Sequence, residues 1–307
     1  MDYKAIIIEE LTILKKKEQQ EGNTFKAIAY GKVIKQLEAF KKINSIEDLQ
    51  SVTGIGKSIQ EKLEEIFKTG MLKAAQKVKK DIKLPVIDQF MNIYGIGRVK
   101  ANNLVKEQKI MSLEELRERS AKDPTLLNTN QKIGLEFYED FLERIPRSEM
   151  DKHNTKLQAI LQEFHVQGDI VGSYRRGEPS SGDIDFLVKS SDKKLLEKLV
   201  EELKVTNYIT HVLALGDKKC MAVCKLGKTA RRLDILLTPP EEYAFALLYF
   251  TGSDKFNIAM RKHALTKNLS LNEHGFTPKS PFLATEEDIF KYIDFPYIPP
   301  QERKRTF

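Results

Sequence analysis

Two aspartates stand two residues apart in Asp183-Ile184-Asp185-Phe186-Leu187-Val188, where polar and apolar positions alternate. A period of two predicts a strand, and residues two apart on a strand face the same side, so both carboxylates project toward one spot. Paired carboxylates offer the hard oxygen ligands that magnesium prefers. Two such ions about 4 Å apart can clamp the attacking and leaving oxygens of an in-line displacement. A third acid is then expected, and Asp234 supplies it from Arg231-Arg232-Leu233-Asp234-Ile235-Leu236-Leu237, a second apolar strand where an unpaired acid would be costly. Upstream, Val171-Gly172-Ser173 ends an apolar segment. A Gly-Ser turn leading into a helix would aim backbone amides and the Ser173 hydroxyl at a triphosphate, with charge from Arg176 and close approach at Gly182. A lone Asp-x-Asp is most often a pair of solvated loop acids; the combination of pair, turn and strand-borne third acid reads as a nucleotidyl-transfer site.

The elements that must carry these residues follow from periodicity. From Ile170 to Leu237 strand-like segments dominate, at Asp183 to Val188, Ile209 to Leu215, Cys220 to Lys225 and Leu233 to Leu237, which predicts a mixed sheet bearing the acids. A helix is expected from Tyr243 to Phe250, and Thr285-Glu286-Glu287-Asp288 reads as a capped helix start. The first 145 residues have helical spacing. They also contain an internal repeat: Val52-Thr53-Gly54-Ile55-Gly56-Lys57 recurs as Ile93-Tyr94-Gly95-Ile96-Gly97-Arg98. One Gly-x-Gly would be an ordinary helix connection, but two with matched apolar and basic flanks read as helix-hairpin-helix units. Their glycines make a tight turn and the next helix start meets a DNA phosphate, without base readout. Lys79-Lys80-Asp81-Ile82-Lys83-Leu84-Pro85 is polar and ends in proline, which suggests a boundary near residue 78.

With these motifs in view, the chain resembles the nucleotidyltransferase superfamily, and most closely the family X DNA polymerases of the DNA polymerase β type. The likeness covers nearly the whole chain. It includes Leu135-Glu136-Phe137-Tyr138, Arg144-Ile145-Pro146-Arg147, Tyr249-Phe250-Thr251-Gly252-Ser253-Asp254, Phe256-Asn257 and Met260-Arg261-Lys262-His263-Ala264-Leu265. The resemblance implies a multidomain α+β protein: a helical lyase-like DNA-binding domain (1–78), a second helix-hairpin-helix domain (79–145), a palm with a mixed β-sheet (146–238) and a small nucleotide-selecting α/β domain (239–307).

It implies roles as well. Asp183 and Asp185 would ligate two magnesium ions, for which manganese can substitute, and Asp234 the catalytic one. Ser173, Arg176, Gly182 and Arg144 would contact the triphosphate, and Arg232 would hold Asp234 in place beside the DNA. The Tyr249-Phe250-Thr251-Gly252 turn would press on the sugar and exclude ribonucleotides. Asp254 would stack under the incoming base, with Asn257 and Arg261 reaching the minor groove. The hairpins, through Gly54, Gly56, Lys57, Gly95, Gly97 and Arg98, would grip gapped or nicked DNA, with sodium or potassium on the carbonyls of Val52, Ile55, Met91, Ile93 and Ile96. Lys62 matches the family's Schiff-base nucleophile for removing a 5′-deoxyribose phosphate. Where the family places a basic 5′-phosphate pocket, this chain has Gln20, Glu21, Gln50 and Ser58, with Phe25 at an aromatic position that usually carries a hydroxyl, so that activity is expected to be weak. The alternatives are a template-independent terminal transferase, which usually carries an inserted loop in the template path, and a noncatalytic DNA-end-binding protein.

Of 307 residues, 41% are hydrophobic and 31% charged, and 51 Lys and Arg against 44 Asp and Glu leave a net charge of +7. This describes a soluble globular protein, and the basic excess is consistent with a polyanionic partner that composition alone does not establish; a monomer is expected. Neither a signal peptide nor a membrane span is evident, so an intracellular, DNA-containing compartment such as the nucleus is expected. Lys15-Lys16-Lys17 and Arg303-Lys304-Arg305 are short basic runs of the kind used in nuclear import, though such runs are usually solvated surface. Cys220 and Cys224 would share a strand face about 13 Å apart, too far for a disulfide or a shared zinc, and are expected to pack.

Overall fold

The computed structural model describes residues 2–304. The chain divides into two compact units, Met1–Tyr138 and Glu139–Phe307. No helix among the described residues is long and apolar enough to cross a membrane.

The first unit is helical and has two cores. Ile7, Leu11, Val33, Leu37, Leu63 and Ile66 fill one, and Ile87, Phe90, Leu104, Val105 and Leu116 the other. Each core contains one Gly-x-Gly turn. In the first, Gly54 takes a left-handed φ of 87° and Gly56 is the extended residue before the Lys57–Thr69 helix; in the second, Gly95 (φ 80°) and Gly97 stand in the same relation to the Arg98–Asn102 helix. Gly54 and Gly95 need glycine for that φ. Gly56 and Gly97 have ordinary φ values, and a β-carbon at either would meet nothing within 4 Å, so these are open backbone surfaces.

In the second unit, strands β1 (Ile145–Pro146), β2 (Gln167–Ile170), β3 (Ser180–Ser181), β4 (Ile184–Lys189), β5 (Ile209–Leu215), β6 (Lys219–Cys224), β7 (Arg231–Thr238), β8 (Ser270–Asn272) and β9 (Gly275–Thr277) form three sheets. The main sheet has the order β2-β4-β7-β6-β5 and is mixed, with β4 and β7 parallel and the other pairs antiparallel. Strand alternation decides what each face does. Ile184, Phe186 and Val188 point to one side, where the helices Arg147–Glu163 and Leu195–Val205 bury Leu157, Leu161, Leu199 and Leu203 against them. Asp185 and Leu187 point to the other. There Leu187 packs with Val171 and with Ala246 of the Tyr243–Thr251 helix. That helix covers the apolar stretch of the face.

A fourth core joins this helix to the Asp254–Thr266 and Glu286–Tyr292 helices through Phe245, Phe256, Met260, Ile289 and Phe290. Thr285 caps the latter in a capping box with Asp288, the start expected from the sequence. The β2 strand and the β8–β9 hairpin are short, and local periodicity does not announce them. Cys220 and Cys224 are fully buried and free, and burial pushes their thiols up to about 11 and about 12; they are packing residues.

Candidate active site on the palm sheet

Asp185 lies on β4 directly opposite Asp234 in the parallel register with β7. Asp183 sits one residue ahead of the strand, in a bend, because β4 begins at Ile184 rather than at Asp183. Burial pushes the Asp185 carboxyl up to about 7, and the nearby negative charges of Asp183 and Asp234 add to this. An acid in that position is short of positive charge.

The two flanking acids each have a cation. Arg232 pairs with Asp183, and Lys219 Nζ lies 2.6 Å from Asp234 Oδ2. Arg232 therefore does not hold Asp234, as the resemblance had implied, but the acid before β4. Lys219 takes the Asp234 role, and no sequence motif pointed to it. On the antiparallel β6–β7 pair Met221 is opposite Asp234, so Lys219, two residues along, reaches the acid diagonally. Among the described residues no three acid, His or Cys side chains already enclose one coordination point. The donor set still fits a divalent cation: three hard carboxylates on one sheet end, the central one destabilised by its own kind.

The phosphate side is built at Gly172. The residues Gly172–Arg175 make one helical turn after β2. Gly172 has φ 61°, which favours glycine, and a β-carbon there would lie 2.9 Å from Asp185 Oδ2, so a larger residue would strain the turn and push on the acid. Ser173 donates to Ser181 Oγ at 2.9 Å. Arg144, immediately before β1, donates to Ser180 Oγ at 2.7 Å and to Ser180 O at 2.6 Å, beside Gly182. The β1–β3 pair thus brings Arg144, Ser173 and Gly182 to one loop cluster. Arg176 turns instead to the end of the Tyr243–Thr251 helix, donating to Thr251 O at 2.6 Å.

That helix end carries the residues expected to select the sugar. Tyr249 stacks edge-on with Phe250 and lies under the Arg261 guanidinium, 5.1 Å from the ring centroid. Asn257 donates to Tyr249 O at 2.8 Å. Gly252 has φ 66°, and Ser253 caps the next helix, whose first residue, Asp254, is exposed.

In the first unit, Lys57 is exposed at its helix start, whereas Arg98 donates to Gln19 O at 3.2 Å, at the carboxyl end of the Lys4–Glu21 helix. Lys15, Lys32, Lys35 and Arg98 line a groove of about 770 Å³ with Met91, and the Phe25 ring is 91% exposed. Lys62 donates to Ser58 O at 2.9 Å and to Ser58 Oγ at 2.7 Å. Gln20, expected at the 5′-phosphate pocket, is instead buried and donates to Leu84 O. The basic run at 303–305 is not a surface patch in its first residue. Arg303 is fully buried; Arg305 lies outside the described residues.

A mixed sheet that gathers three aspartates at one end, beside a glycine-serine turn, defines the class: a nucleotidyltransferase palm. The chain matches models of a helix-hairpin-helix domain (residues 4–72), the fingers domain of DNA polymerase lambda (88–142), the DNA polymerase beta palm (144–240) and the DNA polymerase beta thumb (246–304). It is 33% identical to DNA polymerase lambda of Rattus norvegicus over 98% of this chain and 56% of that one, and 30% identical to DNA polymerase lambda of Arabidopsis thaliana over 92% and 58%. A DNA nucleotidylexotransferase of Xenopus laevis is 27% identical over 93% and 64%. The chain belongs to the family X DNA polymerases, of the DNA polymerase β type. It spans little more than half the length of these polymerase lambda relatives.

Proposed function

We propose that this chain is a template-directed DNA polymerase that fills short gaps during DNA repair, adding a deoxynucleotide to a primer 3′-hydroxyl. The observation that carries the reading is Asp185, placed between two further acids and raised to about 7 by burial and by their charges. Asp183 and Asp185 hold two divalent cations, and Asp234 one of them. Magnesium, or manganese in its stead, supplies Lewis-acid charge at the attacking and leaving oxygens. Asp234 accepts or relays the proton of the primer 3′-hydroxyl; Arg232 and Lys219, paired with Asp183 and Asp234, would have to release those acids for them to hold a cation. Ser173, Arg144, Arg176 and the amides after Gly172 hold the triphosphate. Tyr249, Phe250 and Gly252 form the sugar gate, while Asp254, Asn257 and Arg261 face the nascent base pair.

The open glycines Gly56 and Gly97, with Lys57 and the groove lined by Lys15, Lys32 and Lys35, hold gapped or nicked DNA through its phosphates. The turn carbonyls of Val52, Ile55, Met91, Ile93 and Ile96 would hold sodium or potassium, whose charge would stiffen the grip. The protein acts as a monomer in a DNA-containing compartment such as the nucleus. Lys62 carries a weak 5′-deoxyribose-phosphate lyase activity.

Primer extension on gapped DNA, with and without template and with and without magnesium, tests the reading. Template- and metal-dependent incorporation supports it. Extension without template assigns a terminal transferase, and DNA binding without extension an end-binding protein. The connection from Cys224 to Arg231 between β6 and β7 is short and favours the templated reaction.

A further inference from the structure

The Thr251-Gly252-Ser253 corner is fastened from two directions. From the palm, Arg175 Nη1 donates to Thr251 Oγ1 at 2.9 Å, and Arg176 to Thr251 O. From the far side, the backbone of residues 303 and 304 accepts from Ser253: Ser253 N–H donates to Arg303 O at 3.3 Å, and Ser253 Oγ to Lys304 O at 3.2 Å. One carboxylate joins the two sides. Glu286, 4% exposed, accepts from Arg175 Nη2 on Oε2 at 2.8 Å and from Arg303 Nη1 on Oε1 at 2.6 Å.

Arg303 is an unusual anchor. Its guanidinium is fully buried, stacked against Phe256, Phe290 and Tyr297 at 4.9, 5.4 and 5.9 Å from the ring centroids, and its Nε donates to Ile298 O at 2.8 Å. A buried Arg–carboxylate–Arg chain is not the cheapest way to fill a core, since apolar residues of like volume often stabilise as well or better. What such a chain supplies is fixed geometry, because each charged group has one arrangement that leaves no buried charge uncompensated. Here the fixed object is the corner that follows Tyr249 and Phe250 and caps the helix of Asp254 and Asn257.

We propose that Arg303 is a positioning residue for sugar selection: through Glu286 and Arg175, and by anchoring the 303–304 backbone that accepts from Ser253, its side chain holds the 251–253 corner in the one place from which the gate can exclude a ribose. The inference rests on the polymerase reading for its functional half. Its structural half stands alone. Loss of the Arg303 side chain leaves Glu286 without its second cation and frees the 303–304 backbone, whose carbonyls accept from Ser253, from its buried anchor, so the corner loosens while the acid-bearing sheet is untouched.

Hydrogen exchange of the Ser253 amide and its neighbours, measured in the full chain for wild type, Arg303→Met, Arg303→Lys and Glu286→Gln, tests the structural half. Exchange at 249–256 should quicken at least about tenfold in Arg303→Met and in Glu286→Gln, less in Arg303→Lys, with β4 and β7 unchanged. Equal protection of the corner in all four proteins overturns the proposal. So does uniform loss over corner and sheet, which would mark Arg303 as a general core residue; Glu286→Gln, nearly isosteric, guards against reading a misfolded Arg303 variant. Ribonucleotide and deoxyribonucleotide incorporation then tests the functional half. The ratio of efficiencies should shift toward ribonucleotides by at least about fivefold in Arg303→Met, with partial rescue in Arg303→Lys. A loosened corner with an unchanged ratio overturns the sugar-selection role. A wild type that extends no primer refutes the polymerase reading and with it the sugar-selection half, while the exchange result still decides the positioning.

Discussion

Gly172 and Asp185 are close neighbours: a β-carbon at 172 would stand 2.9 Å from Asp185 Oδ2, on a backbone with φ 61° that residues with side chains rarely adopt. The phosphate turn and the central acid are therefore one construction. In Gly172→Ala the backbone strain, on the order of 1–3 kcal/mol, and the clash must both be relieved by moving the turn or the acid. Single-turnover incorporation should fall at least about tenfold, while affinity for gapped DNA, measured by fluorescence anisotropy, stays within about twofold.

Asp183→Ala, Asp185→Ala and Asp234→Ala should each reduce incorporation by about a thousandfold or more without weakening DNA binding, as the proposal that the acids hold cations and the hairpins hold phosphates requires. Near-normal extension by any of the three would reject the assignment. In chelator, Asp185→Asn should melt about 2–4 °C higher than wild type, since it removes a buried charge repelled by two others. A lower melting temperature would mean that Asp185 is not destabilised by its neighbours.

Tyr249 is held between Phe250 and Arg261, and Asn257 fixes its carbonyl. Tyr249→Ala should raise ribonucleotide use relative to deoxyribonucleotide use, read as a ratio of kcat/KM values. An unchanged ratio would place the gate in the backbone alone.

Behind the sheet, Glu149 and buried His153 make stability depend on pH in two separate windows. The hydrogen bond from Arg231 holds the Glu149 carboxyl below its usual value, so its contribution is present above the ordinary carboxylate range and is lost as pH falls through the lowered one. Burial lowers the His153 imidazole, whose Nδ1 lies 2.6 Å from Tyr208 Oη. As pH falls through the ordinary histidine range the unfolded chain therefore takes up a proton that the folded one does not yet bind, and stability declines there as well. Urea midpoints should fall on going from pH 7 to pH 5 in wild type, and less in His153→Gln. The further loss below about pH 4.5 should shrink in Glu149→Gln.

Borohydride trapping on incised abasic DNA should give a weak covalent adduct that disappears in Lys62→Ala. No adduct, or one that survives the substitution, removes the lyase from the proposal. Binding to gapped DNA should weaken steeply with salt, as contacts to phosphates demand, and a flat response would reject the phosphate grip.

Much of the site was legible one residue at a time. A period of two placed Asp183 and Asp185 on one side of a strand that begins a residue later than expected, and embedded Asp234 in an apolar strand; both are properties of a few consecutive residues. The matched Gly-x-Gly turns were visible because a left-handed φ favours glycine strongly enough to mark the sequence. Partners were not legible. That Arg232 pairs with Asp183 and Lys219 with Asp234 depends on where β6 and β7 lie against β4, and that register is set by the apolar residues buried behind them. Gln20 inside the core and Arg303 among three rings gave no sign of burial in the sequence, because burial of a polar side chain is decided by partners far along the chain. The sequence by itself determined the chemistry available and the faces that carry it; only the tertiary structure decided which charge answers which, because long-range packing sets the few ångströms over which ion pairs and hydrogen bonds form.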